Sequence, residues 1–347
     1  MNAASTDIGT QVGSVDLPNP IMTASGTSGH GMELADYGDL SALGAVVVKS
    51  VSIRPWPGNP APRVHEVGVG MLNSVGLQGP GLASWLEHDL PALTAAGARV
   101  VVSIWGRSVD DYGRAAAILA QVPRRGSAMV AVEVNVSCPN VEDRSRMFAH
   151  SETATAEVLA ASECGLPRWA KLSPNVPDIA AIAGAAIRGG AEALTLTNTL
   201  LGLALDTETG RPVLGAGGGG LSGAVLHPVA LRAVWECRAA FPGAAIVGVG
   251  GVASGQDAVE FLMAGADAVQ VGTATFRDPR APWRVLRQLE RWCAKRGTTV
   301  AELRAGSRSR GAAGAAGAAG STAEVGSVGE AAGAAGGAEA DAAAGAG

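Results

Sequence analysis

A thiol lies between two carboxamides in residues 133–140, which read EVNVSCPN. Valines at every second position from 130 to 136 predict a strand, and the proline after Cys138 predicts the start of a loop. Cys138, Asn135 and Asn140 therefore stand at or just beyond the carboxyl end of a buried strand, where α/β proteins bind ligands. Each carboxamide offers an acceptor and two donors, which suits a planar ring that carries amides or a carboxylate.

Cys138 is open to two chemical interpretations and one structural interpretation. An unperturbed thiol has a pKa of about 8.5, so a modestly activated Cys138 could act as a general base. It could equally attack an electrophile as a nucleophile. A single buried cysteine is most often a small apolar core residue, so a functional role depends on matching chemistry at other strand ends.

Alternating strand and helix patterns must position this segment. Strands are predicted at residues 21–24, 45–48, 99–104, 130–136, 169–173, 193–197, 245–249 and 268–271. Helices are predicted at residues 33–43, 82–95, 110–120, 153–164, 178–188, 227–240, 254–264 and 283–296. Such regular alternation over about 280 residues predicts a closed (β/α)8 TIM barrel, and a doubly wound open sheet is the alternative.

The carboxyl ends of the strands of a barrel converge on one face. In this chain polar or small residues occupy these ends: Ser25, Lys49, Ser103, Asn135 with Cys138, Lys171, Asn198 with Thr199, Gly250 with Gly251, and Gly272 with Thr273. Either lysine alone is most simply a snorkelling or ion-paired side chain. Two lysines beside carboxamides favour an anionic, ring-shaped ligand.

The last two strand ends suggest a phosphate site. Loops after strands seven and eight of a barrel commonly bind phosphate through backbone N–H groups, and glycine allows the close approach, although ordinary tight turns are also glycine-rich. The sequence has neither a GxGxxG fingerprint after the first predicted strand nor a GxxxxGK[ST] loop. A mononucleotide is therefore the expected cofactor, and flavin mononucleotide (FMN) is the natural candidate.

Composition excludes several other classes of function. The net charge of −5 gives no basis for nucleic-acid or acidic-membrane binding, and no apolar run reaches the roughly 18 residues of a membrane span. The four cysteines include no CxxC pair, so no disulfide framework or metal site is expected. With no signal-peptide pattern, a cytoplasmic location is the default. Residues 1–305 are expected to form the barrel, and the Ala/Gly-rich residues 306–347 a disordered tail without an assigned role.

Four motifs resemble those of the class 1 dihydroorotate dehydrogenases: residues 135–140 (NVSCPN), 171–175 (KLSPN), 72–78 (LNSVGLQ) and 248–251 (GVGG). The resemblance extends from Val15 to Ala294. The KLSPN form and residues 197–223 are most similar to subclass 1B. Members of that subclass pass electrons to NAD+ through a partner subunit that carries FAD and an iron–sulfur cluster.

The resemblance implies an FMN-containing (β/α)8 barrel that oxidises (S)-dihydroorotate to orotate in de novo pyrimidine (UMP) synthesis. Cys138 would be the base that removes the C5 proton, while the C6 hydride passes to N5 of FMN. The implied FMN contacts are Ser25, Lys49, Ser50, Ser103, Asn135, Lys171, Thr197, Gly223, Gly250, Gly251, Gly272 and Thr273. The implied substrate contacts are Lys49, Asn73, Ser74, Val75, Gly76, Leu77, Asn135, Asn140, Asn198 and Thr199. A homodimer is also implied, extended to a heterotetramer by the partner subunits.

Two departures from the family pattern stand out. Ser103 occupies a position where many relatives have an asparagine facing the flavin, and residues 141–146 lack the usual paired glycine of a loop expected to be a lid.

Two alternative functions remain open. One is a dihydropyrimidine dehydrogenase-like barrel for uracil or thymine, whose relatives usually have a histidine where Asn140 stands. The other is a non-catalytic flavin-binding barrel, against which Cys138 and the two lysines argue.

Overall fold

Eight parallel strands surround a common axis in the computed structural model, which describes residues 7–138 and 147–306. They are β1 (Ile21–Thr23), β2 (Val46–Val47), β3 (Val100–Ile104), β4 (Met129–Asn135), β5 (Arg168–Leu172), β6 (Ala193–Leu196), β7 (Ala245–Val249) and β8 (Ala268–Val271). From β2 to β8 each strand pairs with the next, β8 pairs with β1, and a bridge between Met22 and Ala45 closes the ring. The predicted (β/α)8 TIM barrel is confirmed.

Helices pack around the outside of the barrel. They are α1 (Leu82–Ala95), α2 (Val109–Ala120), α3 (Glu152–Ala161), α4 (Ile179–Arg188), α5 (His227–Ala240), α6 (Gly255–Ala264), the short α7 (Ala274–Arg277) and α8 (Ala281–Arg296). Ser108, Ser151, Asp178 and Ser254 cap α2, α3, α4 and α6 by accepting a backbone N–H of the first turn. Within the described ranges no helix combines the length and apolarity that a membrane span requires.

The predicted helix at residues 33–43 is wrong. Two separate 3₁₀ turns, Ala35–Tyr37 and Leu40–Ala42, occupy this connection. Gly38 between them is extended, and a Cβ there would lie 2.5 Å from the ring of Trp283, so tight packing against α8 replaces a continuous helix. The other predicted strands and helices agree with the structure within three residues at each end. The predicted tail, apart from its first residue, lies outside the described residues.

Two antiparallel sheets were missed. A hairpin of Thr10–Val12 and Val15–Leu17 covers the amino ends of the barrel strands, where its apolar residues pack with Trp169. A four-stranded sheet stands at the opposite end, with the strand order Leu200–Gly202, Gly219–Gly223, Gly70–Asn73 and Val64–Val67. Short, glycine-rich strands give little periodic signal, and their partners lie far apart in the sequence.

The interior of the barrel changes from apolar to polar along its axis. Near the hairpin, the inward-facing residues are Met22, Val101, Trp169, Val247 and Ala268. The positions two residues further along the strands point to the same interior. Several of these carry buried polar side chains: Ser103, Glu133, Lys171 and Gln270. The sequence therefore directs polar groups toward the carboxyl ends of the strands.

Candidate active site

A cavity of about 640 Å³ lies at the carboxyl ends of the barrel strands and extends to the four-stranded sheet. Most residues predicted for cofactor or substrate line it: Ser25, Lys49, Ser50, Asn73, Ser74, Val75, Gly76, Leu77, Asn135, Lys171, Thr197, Asn198, Thr199, Gly223, Gly250, Gly251, Gly272 and Thr273. Ser103 and Cys138 are fully buried and do not line this cavity. Asn140 and most of the predicted lid lie outside the described residues.

Glycine backbone forms one side of the cavity. Gly223 and Gly251 have positive φ angles of 99° and 68°. A Cβ on Gly251 would lie 2.7 Å from the Cβ of His227 and 2.9 Å from the carbonyl oxygen of Gly223, so these turns pack without side chains. Nearby, the hydroxyl of Thr273 donates to that of Ser222 at 2.9 Å. Exposed backbone of this kind can bind a phosphate.

The two carboxamides at the strand ends orient each other. Asn135 Oδ1 accepts hydrogen bonds from Asn198 Nδ2 at 3.2 Å and from the backbone N–H of Ser137 at 3.1 Å. Asn135 Nδ2 donates to Ser50 Oγ at 3.5 Å. Each amide therefore has a fixed direction toward the cavity, which suits recognition of a ligand with its own ring of donors and acceptors.

Ser103 is connected to the cavity through Ser50. Ser50 Oγ lies 2.8 Å from Ser103 Oγ and 3.2 Å from Ser25 Oγ, so three hydroxyls form a chain from the barrel interior to the cavity wall. The short side chain of Ser103 ends behind Ser50. In this chain, Ser103 thus orients a lining residue.

Cys138 lies just behind the lining. Its Sγ donates to the carbonyl oxygen of Asn135 at 3.4 Å, and the hydroxyl of Tyr112 donates to the same oxygen at 2.7 Å. Burial raises the pKa of Cys138 to about 12, although the neighbouring hydroxyl of Tyr112 and the charge of Lys49 act in the opposite direction. The sequence suggested a modestly activated thiol; burial instead favours the protonated form in this state of the site.

The two lysines differ in their surroundings. Lys171 is buried, and its Nζ lies 3.5 Å from Glu133 Oε1. Lys49 forms no ion pair among residues 7–138 and 147–306. Loss of solvation, followed by repulsion from Lys171, lowers the pKa of Lys49, and the neighbouring Cys138 raises it. An anionic ligand in the cavity would therefore stabilise the charge of Lys49, for which the described residues provide no counterion.

Sequence reasoning missed several residues that support the site. Tyr112 is on α2 and reaches Asn135 from outside the strand. Gln270 on β8 donates to Glu133 Oε2 at 2.9 Å. Asn175 joins the rim, since it donates to the carbonyl oxygen of Thr199 and accepts from the N–H of Leu201, both at 2.9 Å. Glu133 could have been found from the sequence, because it is a charged residue in an otherwise apolar strand, two residues before Asn135.

The cavity wall also contains polar side-chain atoms that form no hydrogen bond within the described residues. Ser137 and Thr197 line it, and their hydroxyl oxygens have no hydrogen-bond partner within the described part of the chain. Buried polar atoms are nearly always paired in native proteins, so these two indicate a polar ligand. Together with the glycine backbone they fit a phosphate-bearing ring cofactor.

Comparison with known families identifies the family of this chain. The family model described as Dihydroorotate dehydrogenase matches residues 8–292. This chain belongs to the dihydroorotate dehydrogenase family. The family resemblance predicted from the sequence motifs is therefore confirmed, and the matched range contains every described residue of the cavity wall.

Individual relatives agree with this assignment. The chain is 43% identical over 303 residues to the "Dihydroorotate dehydrogenase B (NAD(+)), catalytic subunit" of Geotalea daltonii, covering 86% of this chain and 98% of the relative. Proteins of the same name from Geobacter sp. (strain M21) and Alkaliphilus oremlandii are both 44% identical, over 290 and 287 residues. These alignments cover 83% and 82% of this chain and 93% of each relative.

Proposed function

We propose that this chain is a dihydroorotate dehydrogenase that oxidises (S)-dihydroorotate to orotate in de novo pyrimidine synthesis. One observation carries the proposal. A single cavity combines a lysine without an ion pair in the described residues, two oriented carboxamides and an adjacent buried thiol with a glycine-lined wall, in a chain of this family. This set matches an anionic cyclic amide on one side and a phosphate-bearing cofactor on the other.

FMN is the proposed cofactor. Its phosphate would be held at the glycine side of the cavity, by Gly223, Gly250, Gly251, Gly272 and Thr273, and its ring would contact Lys171, Thr197 and the serines at positions 25 and 50. When bound, it supplies the acceptor for the hydride that leaves C6 of the substrate. The unpartnered hydroxyl of Thr197 and the positive φ at Gly223 and Gly251 support this placement.

Substrate binding is proposed for Lys49 and the carboxamides of the same cavity. Lys49 would pair with the carboxylate of dihydroorotate, because its own charge has no counterion in the described residues. Asn135 and Asn198 would bind the ring amides, together with Asn73, Thr199 and the loop from Ser74 to Leu77. Asn140 is proposed as a further contact from the sequence motif alone.

Cys138 is proposed as the base that takes the C5 proton. The reaction needs the thiolate form, since only that form can accept the proton. Burial raises the thiol pKa, whereas Lys49 and Tyr112 are the described groups that stabilise the thiolate. Proton removal at C5 and hydride loss at C6 leave the ring double bond of orotate, so the electrons balance. Burial of Cys138 also keeps bulk water from the transferred proton.

We further propose that electrons leave to NAD+ through a partner subunit with FAD and an iron–sulfur cluster, on a cytoplasmic homodimer that becomes a heterotetramer. The names of the relatives, which contain "NAD(+)" and "catalytic subunit", support this proposal. The mouth of the cavity also has apolar side chains that are 54%, 62% and 58% exposed, at Val64, Leu201 and Phe276. Exposed apolar groups around an active site are typical of a protein contact surface.

The proposal is tested by recording the visible spectrum of the purified protein and adding dihydroorotate without oxygen. We expect a flavin spectrum that bleaches. A flavin that stays oxidised with dihydroorotate but bleaches with dihydrouracil or dihydrothymine would support the dihydropyrimidine dehydrogenase-like alternative. A flavin that responds to none of them would support a non-catalytic barrel. Addition of NAD+ to the bleached protein then tests the need for a partner subunit.

A further inference from the structure

A carboxylate lies inside the barrel, below the cavity. Glu133 on β4 is fully buried, and it is one of the polar residues between the apolar floor and the strand ends. Its neighbours come from two other strands, Lys171 on β5 and Gln270 on β8. A buried carboxylate is unfavourable unless it is paired, so the position of this residue requires an explanation.

The two oxygens of Glu133 have different partners. Oε2 accepts a hydrogen bond from Gln270 Nε2 at 2.9 Å, which fixes the orientation of the carboxylate. Oε1 accepts no hydrogen bond in the described chain and faces Lys171 Nζ at 3.5 Å. The contact to Lys171 is therefore an electrostatic one, and the carboxylate takes none of the N–H donors of the ammonium in a direct hydrogen bond.

Lys171 is the only member of this group that lines the cavity. Among the described residues its Nζ makes no hydrogen bond, so its donors remain available on the cavity side. A second lysine, Lys49, lines the same cavity, and the two charges repel each other. Without Glu133, a buried ammonium with a like charge nearby would be unfavourable at this position and would turn away.

We propose that Glu133 is a positioning residue that, held by Gln270, keeps the charged ammonium of Lys171 at the cavity wall and thereby sets the redox potential of the bound flavin. This inference rests on the proposed function, because it takes the flavin to lie against Lys171. A positive charge held beside a flavin favours the reduced state, which carries more negative charge. Removal of that charge lowers the potential.

The test is the midpoint potential of the flavin in the purified holoprotein, measured by spectroelectrochemical titration. Glu133→Gln and Lys171→Met should each shift the two-electron equilibrium at least tenfold toward the oxidised flavin, a fall of about 30 mV. The double variant should match Lys171→Met within twofold, about 9 mV, because Glu133 then has no ammonium to position. Glu152→Gln, which neutralises a carboxylate in an exposed pair with Arg188, should leave the potential unchanged.

Three results would overturn the inference. They are an unchanged potential in Glu133→Gln, a raised potential in that variant, and a double variant that differs from Lys171→Met by more than twofold. If Glu133→Gln does not fold, Gln270→Leu replaces it. This variant removes the hydrogen bond that orients the carboxylate and should lower the potential in the same direction, and an unchanged potential would overturn the inference. A wild-type chain that binds no flavin would instead overturn the proposed function, and the inference with it.

Discussion

The two lysines of the cavity differ in whether a carboxylate lies beside them. Lys171 is buried against the carboxylate of Glu133, whereas Lys49 has no ion pair in the described residues and has its pKa lowered by burial and by Lys171. The Lys49 side of the cavity adjoins the Cys138 thiol, whereas Lys171 stands beside Asn135 in the register of neighbouring strands.

This difference indicates how one cavity can hold two ligands. A buried counterion offsets the cost of burying the Lys171 ammonium, so this charge can be kept beside a resident cofactor through many turnovers. A lysine without a counterion is stabilised only when an anion arrives, so it favours the carboxylate of a substrate. We therefore expect the cofactor to lie against Lys171 and the substrate carboxylate to lie against Lys49.

The largest expected effect belongs to the thiol on the Lys49 side. Cys138→Ala should slow flavin reduction by dihydroorotate about 10²–10⁴-fold, because no base remains to take the C5 proton. The flavin content should stay near that of the wild type. Stopped-flow absorbance under anaerobic conditions measures the rate, and Cys293→Ala, at another buried cysteine on α8, is the matched control. An unchanged rate would remove Cys138 from the mechanism.

Exchange of each lysine separates the two sides. Lys49→Met should weaken orotate binding about 10–100-fold, since a hydrogen-bonded charge contact is lost. Lys171→Met should weaken it less, and should lower the flavin potential instead. Orotate affinities come from titration of the flavin absorbance in each variant. Equal losses of orotate affinity in the two variants would contradict the assignment of the substrate carboxylate to Lys49.

The glycine turns of the cavity wall give a stability prediction. Gly251→Ala places a Cβ 2.7 Å from that of His227 at a φ of +68°, so we expect a loss of about 1–3 kcal/mol and reduced flavin content. Gly126→Ala is the control, because Gly126 also has a positive φ but no atom within 4 Å of an added Cβ. Thermal unfolding and flavin release measure both quantities. Equal losses in the two variants would show that the cavity wall is not tightly packed.

Tyr112 tests the support for the thiolate. The neighbouring Tyr112 hydroxyl lowers the pKa of Cys138, so Tyr112→Phe should raise that pKa and slow flavin reduction about tenfold near neutral pH. The chain has two tyrosines, and the exposed Tyr37 provides the matched change Tyr37→Phe, for which no effect is expected. A wild-type rate of flavin reduction in Tyr112→Phe would show that Tyr112 does not stabilise the thiolate of Cys138.

The smallest effect is a pH dependence. Burial and Lys171 lower the pKa of Lys49 from its ordinary value of 10.5, so Lys49 loses its charge at a lower pH than an exposed lysine does. Orotate binds the charged form, and its affinity should be constant below the lowered pKa and fall as pH rises through it. Dissociation constants measured from about pH 7 to pH 10 check this. The slope should vanish in Lys49→Met, and a rise in affinity with pH would contradict the assignment.

The sequence predicted the barrel and most of the cavity because both follow from local patterns. Strand ends are visible as apolar runs that stop at a polar or glycine residue, and barrel topology brings such ends together. Lys49, Asn135, Lys171 and Asn198 were found in this way.

The residues that were missed depend on contacts between distant segments. Tyr112 points from a helix to a strand end, and Gln270 reaches Glu133 across 137 positions of sequence. The four-stranded sheet pairs Gly70–Asn73 with Gly219–Gly223, and neither strand has a clear alternation of its own. Ser103 was predicted to contact the cofactor, but its side chain is short, and Ser50 lies between it and the cavity.

The most direct test of the two-sided cavity is a crystal structure of the holoprotein with orotate. The account predicts the orotate carboxylate within ion-pair distance of Lys49, and the flavin against Lys171 with its phosphate at Gly250 and Gly251. An orotate carboxylate bound at Lys171, or a flavin phosphate at Lys49, would contradict it.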